Sequence, residues 1–438
     1  MSAPEKRLCF KTKIAYGFGN FGLQAVDMAL RLYLLKFYVD DLGLDPFWAG
    51  SASAIALVWD AFTDPWMGRI SDALGKRRVF FLPGGLTVSI LIAVLFFGPN
   101  SQSQTYLFLF LFGNYLLLNT AMTIIDIPYH AMGGEISDDT NERASAYAWR
   151  LVFANLGSFA ALAIPLFYSE QTTSQRYQWV GIWTGLMVFV SAFILRIGTS
   201  DRRDLRSQGD LKKIPLNPFS SFKVVFRNRS FFYLVICYSV AMIGLAINTA
   251  VALFYYEYRL RLKMEQTQQI IIVFMLVLIL GLAFWVWVAK RYGKRIPLAL
   301  GIGLMGIGGS ILYPLFQPGN MTGPLIFAGV AGVLAGSVVL LDAWLADIIQ
   351  VDEGGEDSQA GVIFGFWRLA SKVVRAGALF AVGFCLDWIG FTPGQTQTLE
   401  TEWALALFYG PGVNFLFIVA ALLVLCLPIR SLQRESKH

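Results

Sequence analysis

Asp60 and Asp64 lie four residues apart in an otherwise apolar stretch from Ala49 to Gly68, with Thr63 between them and Pro65 directly after. That spacing places both carboxylates on one face of a helix. An ionised carboxylate costs roughly 2.5–3.5 kcal/mol at the centre of a membrane helix, so two on one face call for a compensating charge. A bound monovalent cation, Na+ or a proton, is the simplest candidate. Thr63 supplies a neutral hydroxyl oxygen. Pro65 has no N–H to donate, which releases the carbonyl oxygen of Ala61 one turn back. The competing explanation is a structural salt bridge to a basic residue on another helix.

The same ingredients recur at Thr123-Ile-Ile-Asp126-Ile-Pro128-Tyr129-His130. Asp126 is placed either to join the cation site or to accept hydroxyls of a solute, with pairing to Arg150 as its structural alternative. His130 is a solute-bonding candidate, set against the plainer role of an interfacial histidine at a helix end. Gln24, Asp27 and Arg31 share an earlier apolar stretch. Asp27 and Arg31 are four apart and can neutralise each other, while Gln24 offers a neutral hydrogen-bonding group. Arg368, Lys372 and Arg375 fall on one helix face. Lys372 lies about 16 Å along its helix from the cytoplasmic start, at 1.5 Å per residue. A lysine at that depth needs an acidic partner, whether as a coupling charge or as a permanent salt bridge. Arg368, nearer the cytoplasm, suits loop contacts or snorkelling. Asp72 opens the turn Gly68-Arg-Ile-Ser-Asp72-Ala-Leu-Gly75-Lys76-Arg77-Arg78. It is placed to bond neighbouring arginines such as Arg77 and latch a cytoplasmic gate. Asp342 and Asp347 are the second half's counterparts, and the acidic run 352–357 reads as a solvated loop.

These residues must be held by membrane helices. The chain has 438 residues, 56% hydrophobic and 15% charged, with 36 Phe; a soluble domain carries about 25% charged residues. Long continuous apolar runs exclude a β-barrel's short alternating segments. They predict twelve helices, near 14–38, 48–68, 79–97, 105–129, 144–167, 179–197, 231–255, 268–289, 297–316, 323–348, 361–386 and 403–428. The fold class is therefore an all-α membrane protein. One set of alternate connections, including both ends, carries 24 Lys and Arg and the opposite set 4, which predicts cytoplasmic termini. Arg259, Arg261 and Lys263 are the exception on the outer side. The net charge of +6 thus follows membrane topology and does not imply nucleic acid.

Leu74-Gly-Lys-Arg-Arg78 returns in the other half of the chain as Tyr292-Gly-Lys-Arg-Ile296. The chain accordingly reads as two pseudo-symmetric six-helix bundles, 1–197 and 231–438, joined by a basic cytoplasmic loop at 198–230. The acid pair is not repeated, which assigns the cation site to the first half. Gly17, Gly19 and Gly22 permit close helix approach; no βαβ pattern surrounds them, so they are no dinucleotide fingerprint. Cys9, Cys237, Cys385 and Cys426 are scattered and suggest neither zinc nor a disulfide framework. No cleavable signal peptide is apparent. No nucleophile–base pair or metal motif stands out, so an enzyme is not expected, nor is any cofactor beyond the coupling ion.

The chain resembles the glycoside–pentoside–hexuronide cation symporters, the melibiose-permease type within the major facilitator superfamily. The resemblance covers nearly the whole chain. It rests on Tyr16-Gly-Phe-Gly19, Trp59-Asp60-Ala61-Phe62-Thr63-Asp64-Pro65, Asp126-Ile-Pro-Tyr129, Glu142-Arg143 with Arg150, Leu345-Ala-Asp347 through Asp352-Glu353, and Lys372. It implies alternating access coupled to Na+, H+ or Li+, in a bacterial-type inner or cell membrane. The family's cation site maps onto Asp60, Thr63 and Asp64, with Thr123 nearby. Its solute contacts map onto Asp126, Arg150 and Lys372. Gln24 stands where the family has a sugar-binding acid, with Asp27 one turn further on. His130 lies near where galactoside carriers have a stacking indole, and Thr63 holds a position often occupied by Asn. These departures leave the cation machinery complete but do not support galactoside specificity. The expected cargo is a sugar, glycoside or related polar organic solute, the alternative being a lysolipid or other amphiphile. One chain contains both halves, which predicts a monomeric functional unit.

Overall fold

A computed structural model describes residues 8–137, 139–199, 229–352 and 360–426, with backbone alone at 61, 140, 229–230, 346–352 and 360–365. The basic middle loop and the acidic run 352–357 thus fall almost wholly outside the described residues. The chain divides into two compact units, Met1–Lys212 and Lys213–His438.

The first unit contains α1 (Phe10–Lys36, extended by a π turn Phe37–Asp41), α2 (Pro46–Leu74), α3 (Phe81–Phe97), α4 (Gln104–Glu135), α5 (Thr140–Ala163, with a 3-10 turn Ile164–Tyr168) and α6 (Thr173–Gly198). The second contains α7 (Arg229–Phe254, extended by a π turn Tyr255–Arg259), α8 (Met264–Tyr292) and α9 (Arg295–Leu315). It continues with α10 (Thr322–Ala335, through a 3-10 turn Gly336–Val338 into Val339–Asp352) and α11 (Ala360–Trp388). Finally α12 consists of Leu399–Leu407, a π turn Phe408–Gly412 and Val413–Cys426. Twelve helical rods and no strand occur among the described residues.

Ten of these rods are long and apolar enough to cross a membrane. The other two, α1 and α2, are as long but diluted by Asn20, Gln24, Asp27 and Arg31, and by Asp60 and Asp64. Their polarity sets apart two of the helices that carry candidate site residues.

Local sequence explains the helix ends. Asp45 accepts a 2.9 Å hydrogen bond from the Phe47 N–H, with Pro46 at the first helical position, an arrangement that caps an N-terminus. At the other end of α2, Gly75 takes φ 61° and its N–H bonds the Ser71 carbonyl, a left-handed cap that glycine adopts without cost. Several helices outrun the apolar stretches that announced them: α2 starts at Pro46 and ends at Leu74, and α4 reaches Glu135. His130 consequently lies inside α4, more than a turn before its end.

In the first unit α1 packs against α5 and α6, α3 against α6, and α2 against α4. The glycines make the α1 contacts possible. A methyl at Gly22 would overlap the Val188 backbone of α6, and one at Gly157 of α5 would overlap the Phe21 carbonyl of α1. In the second unit α9 packs against α12, α8 against α10, and α7 against α11 and α12. Pro411 lies in the π turn of α12. The Asn414 side chain donates to the carbonyls of Tyr409 (3.0 Å) and Gly410 (2.8 Å), satisfying backbone oxygens that irregular winding leaves without helical partners.

Candidate cation and solute site

The packing of α2 on α4 brings Asp60, Asp64 and Thr123 together. Asp60 is 9% exposed and Thr123 4%. The Thr123 hydroxyl is 2.5 Å from Asp60 Oδ1 and 3.2 Å from Asp64 Oδ1. A hydroxyl has one proton, so it donates to one carboxylate at a time while both converge on its oxygen. Two carboxylates so placed repel unless one is protonated or a cation neutralises them. Thr63 donates 3.1 Å to the Asp60 carbonyl, so its proton is held within α2 while its oxygen keeps acceptor capacity. One turn before Thr123, Thr120 accepts from Trp59 Nε1 at 3.2 Å, a second tie between these helices. Among the described residues no three His, Cys, Asp or Glu side chains gather as a metal site. Two carboxylates and a hydroxyl are hard oxygen donors, suited to a proton or a small monovalent cation.

Asp126, a turn beyond Thr123 on α4, contacts a second set of side chains. Its Oδ1 lies 3.1 Å from His130 Nε2, and His130 Nδ1 lies 2.7 Å from Arg150 Nη1 on α5. The Tyr147 ring underlies the Arg150 guanidinium, 4.7 Å from ring centroid to Cζ. Tyr16 of α1 stacks on Tyr129 at 4.9 Å and meets Tyr147 edge-on at 6.2 Å. The Tyr129 hydroxyl donates to the Tyr16 carbonyl at 2.8 Å. Arg150 thus reaches Asp126's neighbourhood through an imidazole held in an aromatic surround.

On α1, Asp27 accepts from Arg31 Nε at 2.6 Å and from Gln24 Nε2 at 3.4 Å. Gln24 and Asp27 are therefore one local unit, with the i, i+4 neutralisation expected from the spacing of Asp27 and Arg31.

Where α2 ends, Arg77 forms a fork on Glu135 of α4, with Nε–Oε2 at 2.9 Å and Nη2–Oε1 at 2.7 Å. It also donates to Asp72 at 3.0 Å and to Ser71 at 3.3 Å. Sequence reasoning found Asp72 and Arg77 but missed Glu135, which is remote in the chain and carries no local signal of the link. Another omission is the buried Lys36–Asp40 pair at the end of α1, which its i, i+4 spacing does announce.

In the second unit, Arg368, Lys372 and Arg375 are half-buried on α11. Asp347 lies in the helix Val339–Asp352, its side chain outside the described residues. The basic residues Arg259 and Arg261 have an acidic partner: Glu402 of α12 lies 3.0 Å from Arg261 and 3.9 Å from Arg259. Arg259 in turn lies over the Trp403 ring at 4.2 Å.

Residues 15–431 match a family described as MFS/sugar transport protein. The chain is 26% identical to the symporter YjmB of Bacillus subtilis, itself uncharacterized, over 90% of this chain and 87% of that protein. It is 33% identical to the inner membrane symporter YicJ of Escherichia coli, over 36% of each. Among solved structures it is similar to the peptide transporter POT in complex with sulfate, with TM-score 0.66 and 18% identity, covering 97% of this chain and 96% of that one.

Proposed function

The chain belongs to the MFS/sugar transport protein family, and from that premise we propose that it is a cation-coupled symporter for a sugar, glycoside or related polar organic solute. That it is a multi-pass membrane transporter of the major facilitator type, and no enzyme, follows from the family and from relatives that are symporters. The coupling ion and the kind of solute are our reading.

The observation that carries it is the convergence of Asp60 and Asp64 on the Thr123 hydroxyl. Na+ or a proton arriving there relieves the repulsion of two carboxylates inside an apolar bundle. Thr63 completes the oxygen set. Asp126, His130 and Arg150, with Gln24 and Asp27 on α1, supply donors and acceptors for hydroxyls. Lys372, on α11 of the second unit, is the coupling charge of this reading. In this reading both termini are cytoplasmic, and Asp72, Arg77 and Glu135 latch that end of the first unit, with Asp347 and Arg368 as the second unit's gating residues. The functional unit is one chain.

The alternative cargo, a lysolipid or other amphiphile, would call for an apolar cavity beside these residues. The first unit has an apolar groove of about 690 Å3 between α3 and α6, with Leu86, Ile90, Leu186 and Phe189 in its walls. None of the cation or solute residues lines it.

The test is the melting temperature of purified wild type and Asp60→Asn, with Na+, Li+ and pH varied against sugars and lysolipids. A ligand of the folded state raises it. Cation-dependent stabilisation that a sugar enhances and Asp60→Asn removes supports the reading; stabilisation by lysolipid alone, or no cation response, overturns it.

A further inference from the structure

We propose that His130 is a positioning residue, held as the neutral tautomer with its proton on Nε2, which orients Arg150 for the solute. The argument begins with the guanidinium, which has five N–H donors, no acceptor, and no accessible neutral form. Arg150 Nη1 stands 2.7 Å from His130 Nδ1, so Nδ1 presents its lone pair. In a neutral imidazole the proton is then on Nε2, and Nε2 stands 3.1 Å from a carboxylate oxygen of Asp126. The two contacts agree: one nitrogen accepts from a pure donor, the other donates to an anionic acceptor. The opposite tautomer would set N–H against N–H on one side and a lone pair against a carboxylate on the other.

The ring's surroundings hold it in this orientation. Tyr129 lies beside it at 5.6 Å between centroids. Tyr147 underlies the guanidinium that His130 grips. The imidazole therefore fixes one N–H of Arg150 and aims the remaining edge of its fork. A side chain that only filled this volume would leave Arg150 to swing on its own stem.

The role of Arg150 as a solute contact rests on the proposed function, whereas the tautomer rests on donor geometry alone, and the experiment separates them. The chain has two histidines, His130 and His438. Labelling with 15N-imidazole histidine, in protein purified through a histidine-free handle, gives two ring systems, and His438→Gln leaves His130 alone. One resonance of a protonated Nε2 and one of an unprotonated Nδ1 are expected in the full-length protein. A protonated Nδ1, or the averaged tautomers of free imidazole, overturns the proposal.

The second measurement is solute KM. Glutamine can accept from Arg150 through its oxygen and donate to Asp126 through its nitrogen. Hence His130→Ala raises KM about tenfold, the scale of losing a hydrogen bond to a charged group, and His130→Gln recovers most of that loss. Equal losses in the two variants overturn the positioning role. Loss of cation dependence in the wild type would instead sink the symport reading and leave the spectrum as it is.

Discussion

The two units use one backbone device with opposite chemistry. In the first, the π turn after α1 closes with the Leu42 N–H on the Phe37 carbonyl (3.2 Å) and the Leu44 N–H on that of Tyr38 (2.9 Å). In the second, at the place the Gly-Lys-Arg repeat aligns with it, Leu260 bonds Tyr255 (3.2 Å) and Leu262 bonds Tyr256 (3.0 Å). Yet Lys36 and Asp40, a buried ion pair, correspond to Phe254 and Tyr258. Both of those rings meet Phe391 edge-on, at 5.4 and 4.9 Å. The sequence Trp149-Arg150-Leu151 likewise returns as Trp367-Arg368-Leu369 in the same alignment. Asp60, Asp64, Thr123 and Asp126, however, correspond to Leu278, Leu282, Leu341 and Trp344. The two halves share a frame, and Asp60, Asp64 and Asp126 have apolar residues at the corresponding places. The π turns themselves are packed by aromatic rings in both units, Phe37 against Phe96 and Tyr177 in the first, and Tyr255 stacked on Tyr409 at 4.5 Å and donating to the Tyr313 carbonyl at 2.5 Å in the second.

That asymmetry can be broken most decisively at its centre. Asp60→Asn is expected to lower ion-driven uptake in proteoliposomes by about a hundredfold or more, since it removes a charge that a buried cation needs. Leu278→Asn, at the corresponding place in α8, should retain coupling; an equal loss there would mean both units bind the ion. Next is Lys372→Ala, where transport should fall on the order of tenfold and lose its ion dependence, because an ionisable side chain within a membrane helix is kept there for function. Unaltered kinetics would confine the charge chemistry wholly to the first unit. Glu402→Gln is expected to cost about 1 kcal/mol through weakened bonds to Arg259 and Arg261, read as a lower melting temperature with the cation response intact. A changed cation response would give this end of α12 a part in coupling. The smallest effect belongs to Thr63→Ala, a weakening of cation affinity by about two- to threefold in titrations followed by tryptophan fluorescence. The modest size follows from a hydroxyl that already bonds the Asp60 carbonyl; a total loss would make Thr63 the principal ligand.

Much of this was legible before any coordinates. Twelve rods could be counted because membrane helices need about 20 apolar residues. Their ends could not, because α2 and α4 run on into polar residues that helical hydrogen bonding tolerates outside the apolar zone. Asp60, Asp64 and Asp126 stood out because acids are rare in such surroundings, and Asp27–Arg31 because neighbours on one helix face interact. What escaped was tertiary. That His130 meets Arg150 on the next helix and that Arg77 forks onto Glu135 both depend on which segments touch, whereas Asp126 and His130, four apart on α4, make a local contact that their spacing does announce. Equally hidden is how closely α1 meets α6 and α5, which Gly22 and Gly157 permit, since their partners Val188 and Phe21 carry no local signal of it.

The π turns have a consequence for chain length. Each winds one more residue into its turn than ordinary helix geometry requires. A single-residue deletion within 37–41 or 255–259 can therefore be absorbed by reversion to regular winding. The same deletion earlier in α1 would rotate every later side chain by about 100° and undo its packing register. The π turn 408–412 within α12 gives a third such point, beside the matching pair at the end of each unit's first helix.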